Sequence, residues 1–331
     1  MRISFEEMKS EFKRIFIKYG ISEEKAEVCA RTHAETSRDG VYSHGANRVP
    51  RFINYVKKGW IDVKAEPAKE KEFGALAVYN GNLGIGITNA FYCTERAIEI
   101  AKKNGIGLVG LKNTTHWMRG GSYGLYAARK GFVSICWTNT ESVMPPWGGE
   151  EIKLGNNPFV MAAPADSGEP VLLDMAMSLY SYGKLQVTRL AGKKLQFPGG
   201  YDKDGNLTDE PGKIEDTMRI LPMAYWKGSA FAFLLDVLGA ILSDGMGAAD
   251  LDKVGKGNCG GCSQVFIVID PSKISDKEHI NEILVHAKAH IKTSAGKGIR
   301  YPGEGMANAF KENSSKGVLV DNTVWARIKS L

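Results

Sequence analysis

Two histidines stand in company that suits them to proton transfer. His44 lies in Tyr42-Ser-His-Gly-Ala-Asn-Arg48, with Pro50 and Arg51 following. If that stretch is helical, His44 and Arg48, four apart, share one face. They offer a donor titrating near ~6.5 beside a permanently charged fork for a carboxylate. His116 lies in Asn113-Thr-Thr-His-Trp-Met-Arg-Gly-Gly-Ser122, directly after the apolar run Ile106–Leu111. Polar, glycine-rich loops at a strand's end are where α/β proteins hold ligands. A lone histidine is more often a packing residue, but each of these clusters joins His to Arg and Gly. His33, His286 and His290 fall on helical segments without such neighbours and His279 on a lysine-rich edge. All four read as surface or packing residues.

Other polar islands interrupt apolar runs. Thr138-Asn-Thr140 follows Phe132–Trp137, Gly155-Asn-Asn-Pro158 precedes another run, and Asp174 closes Val171-Leu-Leu in the manner of an acid that accepts from ribose hydroxyls. Lys227 precedes an apolar helix whose N-terminus would help it hold an anion. Familiar phosphate motifs fail. The string Gly105-Ile-Gly107-Leu-Val-Gly110 matches G-x-G-x-x-G, but it follows a helix and lies within a strand, the wrong context for a dinucleotide turn. Gly81-Asn-Leu-Gly84-Ile-Gly86 has the right context with the spacing reversed, and there is no Walker A loop. Cys259-Gly-Gly-Cys262 lacks the further ligands that zinc requires and reads as a glycine-rich turn, so no metal is expected.

The elements that must position these residues change character along the chain. Up to about residue 70 the pattern is helical. Ser4 and Glu7 form a capping box ahead of Phe5, Met8, Phe12, Ile15 and Tyr19; a second helix runs from Ser22 to about Arg38, and a third carries Phe52, Ile53 and Val56. Beyond it, strand-like runs at 75–79, 106–111, 132–137, 158–163, 171–175 and 264–269 alternate with helical stretches at 88–104, 122–130, 230–242 and 276–292. The expected fold is α/β, a mixed sheet with flanking helices, with a helical N-terminal part. Residues 1–70 would pack with the C-terminal helices of 276–331, leaving 71–275 as the cofactor-binding body.

Composition narrows the function. Of 331 residues, 43 are Lys or Arg and 37 Asp or Glu, a net charge of +6 that suits a small anionic ligand better than nucleic acid. Five scattered cysteines argue against a disulfide framework. The first residues lack the apolar core of a leader, and the most hydrophobic stretch, 230–242, is too short to span a bilayer. A soluble, cytoplasmic protein is expected.

The motifs YSHGANR, HWMRGGSYG, MPPWGG, GNNPF, LLDMAMS, WKGS and RYPGEG occur in an order and spacing similar to the malate/L-lactate dehydrogenase type 2 family, over essentially the whole chain. That resemblance implies a non-Rossmann, NAD(P)-dependent oxidoreductase, homodimeric, with its active site near the subunit boundary. Carried onto this chain, it implies His44 or His116 as acid/base and Arg48 at the substrate carboxylate. Thr140, Val171, Leu172, Leu173, Asp174, Met175, Ala176, Trp226, Lys227, Gly303, Glu304 and Gly305 would contact NADH, with NADP the alternative. The finer pattern is similar to a branch that reduces a 2,3-diketo sugar acid; reduction of simpler 2-keto acids or cyclic imino acids is the alternative. Lys184 in SYGKLQV departs from that branch, where Met is expected.

Overall fold

A computed structural model describes residues 1–165 and 169–331. Ser4 caps α1 (Phe5–Lys18) by accepting from the Glu7 N–H at 3.1 Å, and Ser22 caps α2 (Glu23–Arg38) through the Lys25 N–H. Gly20 and Gly40, both at φ +85°, take the left-handed conformation just past these helices. Two 3₁₀ turns, Tyr42–His44 and Ala46–Arg48, then lead into α3 (Val49–Lys57), with Pro50 in its first turn. Met8, Phe12, Ile15, Phe16, Phe52 and Ile53 of these helices form one core.

The body is a seven-stranded sheet: β1 (Ala68–Phe73), β2 (Leu76–Asn80), β3 (Ile106–Thr114), β4 (Val133–Thr138), β5 (Phe159–Ala163), β6 (Val171–Met175) and β7 (Cys262–Ile269). Its order is β1-β2-β3-β7-β4-β5-β6, with β2 and β3 parallel and the other neighbouring pairs antiparallel. This is not the parallel doubly wound sheet of a Rossmann domain. Helices α4 (Gly86–Asn104) and α5 (Gly121–Arg129) pack on one face in a second core. After β6, α6 (Tyr182–Leu190) packs with α7 (Pro211–Thr217), α8 (Trp226–Ser243) lies on the other face of the sheet, and α9 (Ala248–Val254) leads towards β7. The chain closes with α10 (Lys277–Lys292), α11 (Glu304–Lys316) and α12 (Asn322–Lys329). Trp325 and Ile328 of α12 join the N-terminal core, and Arg2–Ile3 pair antiparallel with Val318–Leu319.

The G-x-G-x-x-G string turns out to serve packing. A Cβ on Gly107 would stand 2.2 Å from the Ala97 carbonyl of α4, and one on Gly110 2.1 Å from the Leu242 carbonyl of α8. Glycine in β3 thus lets helices approach from both faces. Helix α8 buries only one of its sides. Ala232 and Leu235 are buried, and the Ala232 and Leu235 carbonyls accept from Asn157 Nδ2 and Trp137 Nε1. Phe233, Leu234, Leu238 and Ile241 are exposed on the opposite face. Among the described residues α8 is the one helix long and apolar enough to cross a membrane, and its sheet-facing side is already occupied.

Candidate active site

The turn carrying His44 is pinned by α2. The Ser37 hydroxyl donates to the His33 carbonyl at 2.9 Å and accepts from the Ala46 N–H at 2.8 Å. A Cβ on Gly45 would meet that hydroxyl at 2.1 Å, so the turn closes on the helix only as glycine. His33 is fully buried among the Phe12, Phe16 and Phe52 rings, its Nδ1 3.3 Å from the Gly45 carbonyl. Burial pushes this imidazole down to about 4. It is therefore neutral at neutral pH, with its proton on Nδ1 because a carbonyl can only accept.

The His116 loop rests on the start of α4. A Cβ on Gly86 would lie 2.2 Å from the Thr115 carbonyl and 2.4 Å from that of His116. The Thr115 hydroxyl donates to the Gly84 carbonyl and accepts from the Gly86 N–H. The reversed-spacing glycine segment is thus the floor under His116. Met118 N–H donates to His116 Nδ1 at 2.8 Å. The neutral ring therefore carries its proton on Nε2.

These two supports bring the predicted histidines together: the His44 and His116 rings stack with centroids 5.8 Å apart and an interplanar angle of 25°. Both line a cleft of about 1560 Å³, as does Arg48. The Arg48 Nε is buried without a hydrogen-bond partner. Burial, then the Arg48 charge, push His44 down to about 3, and the same two causes in the same order push His116 well down. Both rings are therefore neutral at pH 7.

The cleft's other wall is β6. Strand alternation puts Leu172, Asp174 and Ala176 on the cleft, together with Thr140, Gly303 and Gly305. Val171, Leu173 and Met175 point to the opposite side, and Met175 packs in the third core under α8. Glu304 turns to Lys292, at 2.7 Å. Trp226 lines a separate apolar cavity with Pro146, Trp147 and Phe233, and Lys227 is exposed beside it. Of the twelve residues expected at the cofactor, the chain's own cleft thus gathers six.

Three further residues bear on the site: Arg119, from the His116 loop that the sequence singles out, and Asp39 and Glu141, which it does not. Arg119 is buried, 2.6 Å from Asp39 Oδ2 and 3.7 Å from Asp174 Oδ2. Asp174 also accepts from the Gly121 N–H at 2.9 Å, at the start of α5. Burial raises the Asp174 carboxyl, while Arg119 and the Gly121 N–H oppose that rise. Glu141 is the third, half-buried on the cleft wall. The cysteines are free thiols, with Cys259 in the N-terminal core and Cys262 opening β7. Among the described residues no group of three or more His, Cys, Asp or Glu side chains could hold a metal.

Matched against known proteins, residues 3–329 fit the malate/L-lactate dehydrogenase family. The chain belongs to this family. It is 43% identical over 335 residues to 2,3-diketo-L-gulonate reductase of Escherichia coli K12, covering 100% of both chains. Among solved structures, sulfolactate dehydrogenase of Methanocaldococcus jannaschii superposes with a TM-score of 0.88 at 29% identity, covering 100% of this chain and 96% of that one. The Δ1-piperideine-2-carboxylate reductase of Pseudomonas syringae pvar. tomato does so at 0.87 and 26%, covering 100% and 99%. The family's activity is NAD(P)-dependent oxidoreduction between 2-hydroxy and 2-oxo acids.

The cleft is large enough to hold a dinucleotide. Gly303, at φ +91°, closes on β6 so that a Cβ would stand 3.2 Å from the Leu172 N. A Cβ on Gly121 would meet Asp174 Oδ2 at 2.6 Å. Glycine at both positions thus lets the chain pack directly against β6 at the cleft's edge, and the cleft's volume exceeds the ~1,000 Å³ upper range of ordinary single-ligand pockets.

Proposed function

We propose that the enzyme is an NADH-dependent reductase of a 2-keto sugar acid, with reduction of 2,3-diketo-L-gulonate to 3-keto-L-gulonate as the leading reaction. The observation that carries this is the stacked His44–His116 pair beside an Arg48 whose buried Nε has no partner. Arg48 binds the substrate carboxylate through two parallel hydrogen bonds. That anion offsets the Arg48 charge, which after burial is the next cause depressing both imidazoles, and so favours the protonated form of one of them. The protonated ring, His44 or His116, donates to the carbonyl oxygen. Leu172, Asp174, Ala176, Thr140, Gly303 and Gly305 would hold a nicotinamide dinucleotide, which when bound in reduced form would supply the hydride. Asp174 at the ribose favours NADH over NADPH, because a carboxylate repels a 2′-phosphate. The 43% identity to the E. coli reductase supports the substrate, and the piperideine-carboxylate reductase relative keeps cyclic imino acids as the second reading.

Two further proposals follow. Residues 1–70 with 276–331 form the unit that delivers His44 and Arg48 to the body, 71–275. The enzyme is a cytoplasmic homodimer in which the exposed apolar face of α8, with Trp147 and Trp226 beside it, is covered by a second copy. A subunit boundary there gives Trp226 and Lys227, outside this chain's cleft, a place near a cofactor.

The test is NADH oxidation with 2,3-diketogulonate, oxaloacetate, pyruvate and a cyclic imino acid, by wild type, His44→Ala and His116→Ala. Preference for the diketo acid is expected, with at least ~10²-fold slower turnover in the variant lacking the donor. Full activity in both variants refutes the histidine assignment.

A further inference from the structure

Glu141 has no role in the chemistry above, yet it is built into the cleft. Its backbone N–H donates to Asn258 Oδ1 at 3.0 Å. Its carboxylate lies against Gly257, which adopts φ +56°; a Cβ there would stand 3.0 Å from Oε1 and 3.2 Å from Oε2. Glycine at 257 thus serves both the turn and the space the carboxylate occupies. Among the described residues neither carboxylate oxygen has a hydrogen-bond or ion-pair partner within the protein. Nearby Asp252 is already engaged, accepting from the Ser142 N–H. Burial and Asp252 raise the Glu141 carboxyl, while Arg51 and Arg48 act across the cleft to lower it.

The cleft therefore sets the Arg48 and Arg51 guanidiniums on one side against the unpaired Glu141 carboxylate on the other. The Glu141 carboxylate, half-buried on the cleft wall and unpaired among the described residues, is free to accept hydrogen bonds from a ligand's donors. A molecule lying between the two needs an anionic end for Arg48 and hydrogen-bond donors for Glu141. A simple 2-keto acid such as pyruvate has the first and lacks the second. A dicarboxylate would set a second negative charge against Glu141, an arrangement that excludes rather than binds. A 2-keto acid with a hydroxylated tail meets both demands.

We infer that Glu141 is a specificity-determining residue that accepts hydrogen bonds from the hydroxyl groups of the substrate tail and rejects substrates bearing a second carboxylate. This rests on the proposed 2-keto acid reduction and names the part of the substrate that this chain reads.

The experiment compares wild type with Glu141→Gln and Glu141→Asp, using 2,3-diketogulonate, 2-ketobutyrate, oxaloacetate and a cyclic imino acid, with NADH. Glu141→Gln is expected to lower kcat/KM for the hydroxylated acid by about tenfold or more, mainly through KM, as loss of charge-assisted hydrogen bonds does. The 2-ketobutyrate value should change less than about threefold, because that acid never reaches residue 141. Oxaloacetate should improve. Glu141→Asp, shorter but still charged, should lose the hydroxylated acid and continue to reject oxaloacetate. Equal effects on all substrates, no effect on any, or a loss confined to the cyclic imino acid overturns the inference. Wild type that reduces none of these compounds removes the proposed function itself, whereas active wild type with non-discriminating variants removes only the role of Glu141.

Discussion

Anion binding in the cleft should be coupled to proton uptake. His44 is held at about 3 against an ordinary 6.5, by burial first and the Arg48 charge next. A carboxylate on Arg48 removes the second cause and offers the imidazolium a partner that offsets the first. If the bound anion restores the ring to its ordinary value, affinity rises as pH falls between 6.5 and 3. On those two values the apparent association constant for a single ring is about 25-fold greater at pH 5 than at pH 7, and about 0.9 proton is taken up per site at pH 5.5. Oxamate, a carboxylate that cannot be reduced, is the probe. Isothermal calorimetry in two buffers of different ionisation enthalpy reads affinity and proton count together. Glu141 and Asp174, whose carboxyls are also raised, add their own titration. His44→Ala and His116→Ala separate the contributions, since they keep the carboxylates and remove one ring each. Arg48→Met should abolish binding. Affinity independent of pH from 7 to 5, or the same pH dependence in both histidine variants as in wild type, would refute the reasoning.

Other consequences are structural. Asp39→Asn strands the buried Arg119 guanidinium and should lower unfolding free energy by about 3–5 kcal/mol in urea titrations; a loss below about 1 kcal/mol means that the pair does not hold the site together. Gly86→Ala forces the Thr115 and His116 carbonyls to move and should reduce turnover together with about 1–3 kcal/mol of stability, so an unchanged kcat would contradict the role of Gly86 as the floor under His116. His33 titrates at about 4 in the folded chain against 6.5 when unfolded, so its contribution is complete above 6.5 and fades as pH falls towards 4. Between pH 8 and pH 5 this removes about 2 kcal/mol, and His33→Phe should remove that share of the pH dependence while the shares of His44 and His116 remain.

Local signals carried far. The capping serines and closing glycines of α1 and α2 are visible in the sequence because caps act within three or four residues. Most strands of the sheet were legible from apolar runs. β1 was not: Ala68–Phe73 is an exposed edge strand rich in Lys and Glu, so no alternation marks it. Within the stretch Val171–Ala176 the strand period of two sets Leu172 and Asp174 on the cleft and turns Val171, Leu173 and Met175 away from it, a distinction that only the fold makes visible. Arg119 lies 80 positions from Asp39, so their pairing has no short-range signature. Glu141 stood directly after the flagged Thr138-Asn-Thr140 island, but its lack of a partner is visible only in three dimensions. The G-x-G-x-x-G string misleads as a dinucleotide signal because Gly107 and Gly110 of β3 are spent on close contacts with α4 and α8.

The most direct test of the central claim is a structure of the enzyme with NADH and oxamate bound. The account predicts the carboxylate on Arg48, the carbonyl oxygen within hydrogen-bond distance of the His44 or His116 imidazole, and the nicotinamide over that carbonyl against the β6 wall. A nicotinamide well away from both rings, or a carboxylate held elsewhere than on Arg48, would contradict it.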